Sequence, residues 1–370
     1  MGLNPRSADA QFMERALELA WKGYGWVHPN PHVGCVVVKD GRIVGEGFHR
    51  SFGGPHAEVH ALRAAGARSR GATLYVNLEP CVHHGKTPPC TDAIVQSGIA
   101  SVVVACSDPN PLVAGQGLRR LRHSGIHVRV GVLRQQAEEV NERFLHFHRT
   151  GMPFVGLKWA QTLDGFIADV RGRSRWITSE PSRRMAHVLR GGYDAVLVGA
   201  GTVLADDPRL TVRHISARQP VRVVLDGRLL VTGSEKVFNT RNARTILLTQ
   251  GRFLRRPSSV IRLLMRRGVD ILGMEGGAHF SPRDVIKTLG VEGVTSVLVE
   301  GGPATAAAFL DTSVWDKAHI FVSATLLGGG TSAAPLAKPR PVAVPLKLHH
   351  TAAMPMEHGE MLIEGYRQRP

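Results

Sequence analysis

PHAEVHALRAAG, from Pro55 to Gly66, sets a histidine and a glutamate two residues apart at the start of a helix-like run. LEPCVHHGKTPPC, from Leu78 to Cys90, then supplies two cysteines nine positions apart. These residues are either ordinary core side chains or one metal site divided between two segments, and the reading of the first half turns on which. His56, Cys81 and Cys90 together offer three borderline or soft ligands, a set that suits tetrahedral zinc with one position left for water. His56 and Cys90 both fall where a helix is predicted to begin, and the positive end of a helix favours the thiolate that zinc requires. Glu58 points away from the direction of His56, so it is expected beside the metal-bound water as a proton shuttle rather than on the metal.

This is the logic of the zinc nucleobase deaminases, whose signature is H-x-E followed by P-C and a second cysteine. Here it reads His56-Ala57-Glu58, Pro80-Cys81 and Cys90, with eight residues between the cysteines in place of two. HAEVH is not the H-E-x-x-H of a zinc protease, because its glutamate is misplaced. His60, His83 and His84 are rival ligands, and a structural zinc would take His83 or His84 as a fourth. Cys35 and Cys106 lie inside apolar runs and read as small core residues.

Around these segments the first 150 residues alternate helix and strand. Helical spacing covers Asp9 to Lys22, His56 to Ala65, Thr91 to Gln96, Gly117 to Ser124 and Gln135 to His148. Strands are predicted at Val33 to Val38, Ile43 to Phe48 (after the turn at Asp40-Gly41), Thr73 to Leu78, Ser101 to Cys106 and Ile126 to Val130. This is an α/β layered domain. GMPF, Gly151 to Phe154, breaks the pattern, and a second series opens with strands at Phe154 to Trp159, Ala195 to Val198, Val221 to Leu225, Thr245 to Leu248 and Ser296 to Glu300. A boundary near residue 150 gives domains 1–150 and 151–370. A Pro-, Ala- and Gly-rich tail after Gly328 returns near Pro345 as two strands.

The chain of 370 residues is 43% hydrophobic and 21% charged, the composition of a globular protein. No run approaches a membrane span, and the N-terminus lacks a signal-peptide core, so a cytoplasmic location is expected. Four cysteines exclude a disulfide framework. The net charge of +16 invites a nucleic-acid reading. The basic residues are scattered, however: residues 1–150 hold 17 Lys and Arg against 12 Asp and Glu, and the remaining 220 hold 29 against 18. Aromatic residues are only 6%, so stacking platforms for a single strand are not evident. Attraction for small phosphorylated molecules, with no nucleic acid and no membrane, is the simpler reading.

HPNPHVGCVVVKDGRIVGEGFH (28–49), GGPHAEVHAL, YVNLEPCVHHGKTPPC and DPNPLVAGQG (108–117) closely resemble the bifunctional riboflavin-biosynthesis deaminase–reductases. LKWAQTLDGFIA (157–168), SRWIT (174–178), GAGTVLADDPRLTVR (199–213) and VLVEGGPATAAAFL (297–310) extend that resemblance through the second half. It implies a cytidine-deaminase-like three-layer domain followed by a dihydrofolate-reductase-like domain. It also implies zinc and NADPH as cofactors, and a phosphorylated pyrimidine as substrate. The first domain would hydrolyse an amino group from a diamino-pyrimidinone bearing a phosphoribosylamino group, with Glu58 passing the proton to departing ammonia. Asn30 would contact the pyrimidine, and Lys86 in the insert would reach the phosphate.

The second domain would reduce the ring-opened ribose to ribityl. By resemblance its cofactor side is Ala160, Trp176, Thr202, Asp206 and the stretch Gly302, Pro303, Ala304, Thr305, Ala306, Ala307 and Ala308. Its substrate side is Ser174, Arg190, Leu210 (through its backbone), Arg213 and Glu300, and the two arginines suit a phosphate. Gly301-Gly302-Pro303 ahead of a helix is itself a plausible phosphate cradle. The absence of G-x-G-x-x-G argues against a Rossmann domain. Asp164 and Asp207 lie close to these motifs, Asp207 doubling as a turn residue before Pro208. Val82, where a small polar residue is usual, and Gly227, where serine is usual, depart from the family pattern without touching the zinc ligands or Glu58. The rival readings are a deaminase acting on RNA and a non-catalytic zinc-binding regulator. The oligomeric state is open, and a homo-oligomer is allowed.

Overall fold

The computed structural model describes residues 7–83, 88–277, 279–333 and 346–367. The chain divides into two compact units, Met1–Gly151 and Met152–Pro370.

The first unit runs α1 (Ala8–Trp21), β1 (Gly34–Lys39), β2 (Arg42–Phe48), α2 (Ala57–Ala65), β3 (Thr73–Leu78), α3 (Cys90–Gln96), β4 (Ser101–Cys106), α4 (Gln116–His123), β5 (His127–Val130), α5 (Arg134–Val140) and α6 (Glu142–Thr150). Its sheet has the order β2-β1-β3-β4-β5. β1 is antiparallel to β2 and β3, whereas β3, β4 and β5 are parallel. Asp40 and Gly41 both take left-handed φ, 50° and 73°, which is the tight hairpin turn that the dipeptide predicts.

Alternation along the strands builds two cores. Cys35, Val37, Leu74, Val76, Val102 and Val104 face α2, α3 and α4. Val36, Val38, Tyr75, Val103 and Ala105 face α1, α5 and α6. The result is three layers, helix–sheet–helix. α2 lies unusually close to the hairpin because β2 carries glycine where they touch. A Cβ on Gly47 would fall 2.4 Å from the Ala57 carbonyl oxygen, and one on Gly45 would fall 2.3 Å from that of Ala61.

One expected element is corrected. Gln135 to His148 is two helices, broken at Asn141, whose φ and ψ of −111° and 20° leave the helical region. The buried Asn141 amide accepts from the His32 backbone N–H at 2.8 Å and donates to the His32 carbonyl at 3.0 Å. This tie to the approach of β1 replaces a turn of helix. α3 begins at Cys90 itself, one residue earlier than predicted.

The second unit runs β6 (Phe154–Thr162), β7 (Phe166–Ala168), α7 (Glu180–Gly191), β8 (Ala195–Gly199), α8 (Ala200–Asp206), β9 (Val221–Leu225), β10 (Thr245–Gln250), α9 (Arg252–Arg255), α10 (Ser259–Arg266), β11 (Asp270–Met274), α11 (Pro282–Val291), β12 (Ser296–Val299), α12 (Pro303–Leu310), β13 (Lys317–Ser323), β14 (Thr331–Ser332), β15 (Leu348–Pro355) and β16 (Met361–Arg367). Nine strands form one sheet in the order β11-β10-β9-β8-β12-β6-β13-β16-β15. From β11 to β13 the pairing is parallel, and β16 and β15 join antiparallel.

Both faces of this sheet are covered. Val196, Val198 and Val224 pack toward α7, α8 and α10, while Ala195, Leu197 and Val223 pack toward α11 and α12. The strand order reverses around β8, β12 and β6, and the carboxyl ends of strands at such a reversal form a crevice where ligands bind in open α/β sheets. Among the described residues, no helix is long and apolar enough to cross a membrane.

Candidate active sites

In the first unit His56 caps the N-terminus of α2, Cys90 opens α3, and Cys81 follows β3 by three residues. His56 Nδ1 lies 3.2 Å from Cys90 Sγ and 3.6 Å from Cys81 Sγ. The three donor atoms all fall within 4.8 Å of one another, and among the described residues no other such group of three appears. A tetrahedral zinc with its usual bond lengths would space nitrogen and sulfur by about 3.6 Å, so this donor set fits the ion. The Cys90 thiol and the Cys90 backbone N–H point at Cys81 Sγ. Those bonds, with His56 alongside, outweigh burial and hold the Cys81 thiol below its usual range, while the same contact and burial push the Cys90 thiol up. The arrangement favours a thiolate at Cys81. His60 stands outside the group, and His84 and Lys86 lie outside the described residues.

Glu58, in the first turn of α2, is 3% exposed, and its Oε2 has no hydrogen-bond partner. Burial pushes its carboxyl above the usual range. Glu58, His56 and Cys81 line a cavity of about 240 Å³ together with Asn30, His49, His83, Asp108 and Asn110. His49 Nδ1 lies 3.1 Å from the Pro55 carbonyl oxygen, which can only accept. His49 Nε2 is then the acceptor, and the Asn30 amide nitrogen 3.1 Å away donates to it. That leaves the Asn30 carbonyl oxygen as its free acceptor.

The loop closing this cavity is organised by Glu79, which the sequence reading passed over. Its buried carboxylate accepts the backbone N–H groups of Asp108 (3.2 Å), Gly115 (3.1 Å) and Leu118 (3.2 Å). Gly117 packs so closely there that a Cβ would meet the Pro80 carbonyl oxygen at 2.1 Å. Glu79→Gln removes a charged acceptor shared by three donors, a loss of about 1.5–3 kcal/mol from the anchoring of the loop. Hydrogen exchange should then accelerate selectively over 108–118, and unchanged protection would show that the loop is held by other means.

In the second unit Glu300 sits just beyond β12, at the crevice. Arg190, in the last turn of α7, donates from Nε and Nη2 to its two carboxylate oxygens, each at 2.9 Å. Arg190 Nη1 donates to the Thr211 carbonyl at 2.8 Å. Lys158 Nζ, on β6, lies 3.8 Å from Glu300 Oε2. Burial opposes the charge on Glu300, but Arg190 and Lys158 overcome it and hold the carboxyl down to about 2. Burial pulls the Lys158 ammonium below the ordinary lysine range, against the attraction of Glu300. Lys158 was not singled out from sequence, although a lone lysine within FVGLKWA was a legible signal.

Two glycine-bearing turns meet next to this cluster. Gly302, the N-cap of α12, donates its N–H to Thr202 Oγ1 at 2.9 Å. A Cβ on Gly301 would strike Thr305 at 2.5 Å, and one on Gly199 would come 2.8 Å from Thr305 Oγ1. Glycine at these positions makes room for the Thr305 side chain, and the N-terminus of α12 offers the partial positive charge that suits an anion. This is a cradle that fits the phosphates of a dinucleotide. Ala160 lies on β6, and Ala304, Ala306, Ala307 and Ala308 lie on α12 behind Pro303.

Arg175 Nη2 donates to the Asp206 carbonyl at 2.7 Å, tying the segment with Ser174 and Trp176 to the end of α8. Trp176 is 70% exposed, with the Arg183 guanidinium 4.3 Å over its ring. Leu210 has left-handed φ and a buried side chain, so only its backbone remains for a ligand. Arg213 is exposed, and its Nη1 makes a 3.3 Å bond to Thr211 Oγ1. Asp164 is engaged by the N–H groups of Leu327 and Gly328, and Asp207 by that of Lys236.

Family models match both units. Residues 6–106 match the cytidine and deoxycytidylate deaminase zinc-binding region, and residues 153–357 match the RibD C-terminal domain. A riboflavin biosynthesis protein RibD from Aquifex aeolicus is 48% identical over 88% of this chain and 90% of its own. The chain belongs to the RibD family. The Escherichia coli RibD is 43% identical over 86% of this chain and 89% of its own. A solved Thermotoga maritima diaminohydroxyphosphoribosylaminopyrimidine deaminase/5-amino-6-(5-phosphoribosylamino)uracil reductase is 42% identical. It superimposes with a TM-score of 0.86 over 98% of this chain and 99% of its own. An Acinetobacter baumannii RibD gives 36% and 0.87 over the same shares. The expected fold pair, a cytidine-deaminase-like three-layer domain followed by a dihydrofolate-reductase-like domain, holds, as a cytidine-deaminase region followed by a RibD C-terminal reductase domain. As a RibD, the protein is a bifunctional deaminase and reductase of riboflavin biosynthesis that uses zinc and NADPH.

Proposed function

We propose that residues 1–151 deaminate 2,5-diamino-6-(5-phosphoribosylamino)pyrimidin-4-one and that residues 152–370 then reduce its ribosyl side chain to ribityl. The observation that carries the first half is Glu58, a buried carboxylate with an unpartnered oxygen beside three clustered metal ligands. His56, Cys81 and Cys90 would hold zinc, which when bound would bring the pKa of water toward ~7 and so supply a nucleophile at neutral pH. Glu58 would take a proton from the attacking water and deliver it to the ring amino nitrogen. The carbon–nitrogen bond breaks, ammonia leaves, and the ring carbon keeps the oxygen. The Asn30 carbonyl oxygen accepts from a pyrimidine N–H and orients the ring.

Cys90→Ser tests the ligand set. Its zinc content should fall below about a tenth of wild type, because a hydroxyl does not ionise as a thiol does. NADPH binding should persist in the same sample, and full zinc occupancy in this variant would remove Cys90 from the ligands.

In the second half, NADPH when bound supplies a hydride. Gly301, Gly302 and the first turn of α12 receive its phosphates, with Thr202 bracing Gly302. The ring-opened sugar then needs a proton on the atom that takes the released electron pair. Lys158 holds that proton, and Arg190 fixes Glu300 so that Lys158 stays charged and aimed. Arg213 and Ser174 face the phosphate.

The same reading places the enzyme in the cytoplasm, on a small phosphorylated substrate, with no nucleic-acid partner despite the +16 charge. Passage through heparin at ~150 mM salt without retention would agree with it. The direct test is NADPH absorbance after the diamino-pyrimidinone is added to zinc-loaded protein. Decay accompanied by ammonia release supports both halves, ammonia without decay removes the second, and neither product refutes the reading.

A further inference from the structure

Near Glu300 the reductase unit gathers several positive groups around one carboxylate. Arg190 spends three of its five N–H donors on Glu300 and Thr211, leaving two. Arg213 makes one long bond to Thr211 Oγ1. Against them stands His187, one turn before Arg190 on α7, 6% exposed and with an Nδ1 that has no partner. The His214 ring packs edge-on to His187 at 4.6 Å. Two arginines and two histidines therefore share one place, while Lys158 and Arg190 already attend the nearby carboxylate, Glu300. A buried polar atom without a hydrogen-bond partner beside a cluster of cations has the character of an anion site.

We propose that His187 and His214 complete the site for the substrate phosphate with Arg213 and the free edge of Arg190, and that His187 takes up a proton when the phosphate binds. The proposal rests on the reading that the substrate is phosphorylated and held by Arg213.

The groups facing the pair fix the sign. Without an anion, burial and then Arg190, Arg213 and His214 hold His187 down to about 3, with Glu300 the opposing charge. Glu180 is the acid felt by His214 from the start of α7. A phosphate dianion reverses the local field, so the bound-state pKa of His187 rises above its free-state value. Affinity gained from the proton is full below the free value and is lost as pH rises through the bound value.

The test is calorimetric titration of the full chain with the deaminated phosphorylated pyrimidine and with its dephosphorylated nucleoside. Each is run at pH 6.5 and 8 in two buffers of different ionisation enthalpy, so that protons are counted. Wild type should take up more protons with the phosphorylated ligand than His187→Gln/His214→Gln does. The double variant should lose about tenfold in affinity for it, the scale of one charge-assisted hydrogen bond, and should bind the nucleoside unchanged. Equal proton counts and equal affinities would overturn the proposal. Wild type binding both ligands alike would instead sink the underlying phosphate reading, and the inference with it. NADPH binding verifies folding of the double variant. Should it fail, the exposed His214→Gln alone carries the affinity comparison, and wild-type affinity for the phosphorylated ligand there would likewise overturn the proposal.

Discussion

Glu58→Gln should lower deamination by about three orders of magnitude, toward the upper range for loss of a general acid–base group. Zinc content should stay at the wild-type level and the reductase half should keep its rate on deaminated substrate. Gln keeps the shape of the side chain and fills the same space at the start of α2, but it cannot carry a proton from water to a departing amine. The carboxylate is also well placed to be separated from the ligand set, since His56, Cys81 and Cys90 close on one another without it. Ammonia release, metal analysis and NADPH oxidation on one preparation decide the matter. Loss of zinc together with activity would make Glu58 a ligand or a structural support, and full activity would leave the cavity without its proton carrier.

The metal site was legible because its chemistry is carried by rare residue types at helix starts. Of four cysteines, two sit beside proline and histidine outside apolar strands, and these are the two that meet His56. The other two, Cys35 and Cys106, are buried in β1 and β4, as their apolar neighbours imply. The hairpin turn at Asp40-Gly41 and the parallel strands were equally plain, since each follows from a local rule.

What escaped the sequence depends on partners far along the chain. The break at Asn141 is set by a pair of hydrogen bonds to His32, and nothing between Gln135 and His148 announces it. β13 reads poorly as a strand because it carries Lys317 and His319. The buried His319 is accommodated by Tyr193 and Glu364, which come from α7's end and β16. Glu79 looks like part of the metal motif, yet it serves the backbone of a loop some thirty residues later. Lys158 stood out in sequence only as a lone lysine in an apolar run, and its role appears when β12 brings Glu300 beside β6.

That pairing sets the second large expectation. Lys158→Met should lower the reductase kcat by about 10²–10⁴-fold, the range for a positioned proton donor, with NADPH affinity within about twofold of wild type. Methionine preserves the length and apolar stem and leaves Glu300 still paired with Arg190, so the variant should fold. The pH profile separates proton transfer from mere charge. Burial lowers the Lys158 pKa below the ordinary value near ~10.4, and a donor must be protonated to act. The wild-type rate should therefore hold toward lower pH and fall as pH rises through that lowered value. Lys158→Arg keeps the positive charge on Glu300 but cannot release its proton at any working pH. If arginine restored the rate and flattened the alkaline limb, Lys158 would serve as a counter-ion to Glu300, and the proton would have to come from another group at the crevice. If arginine is as inactive as methionine, the proton on Lys158 is the one the reduced sugar receives.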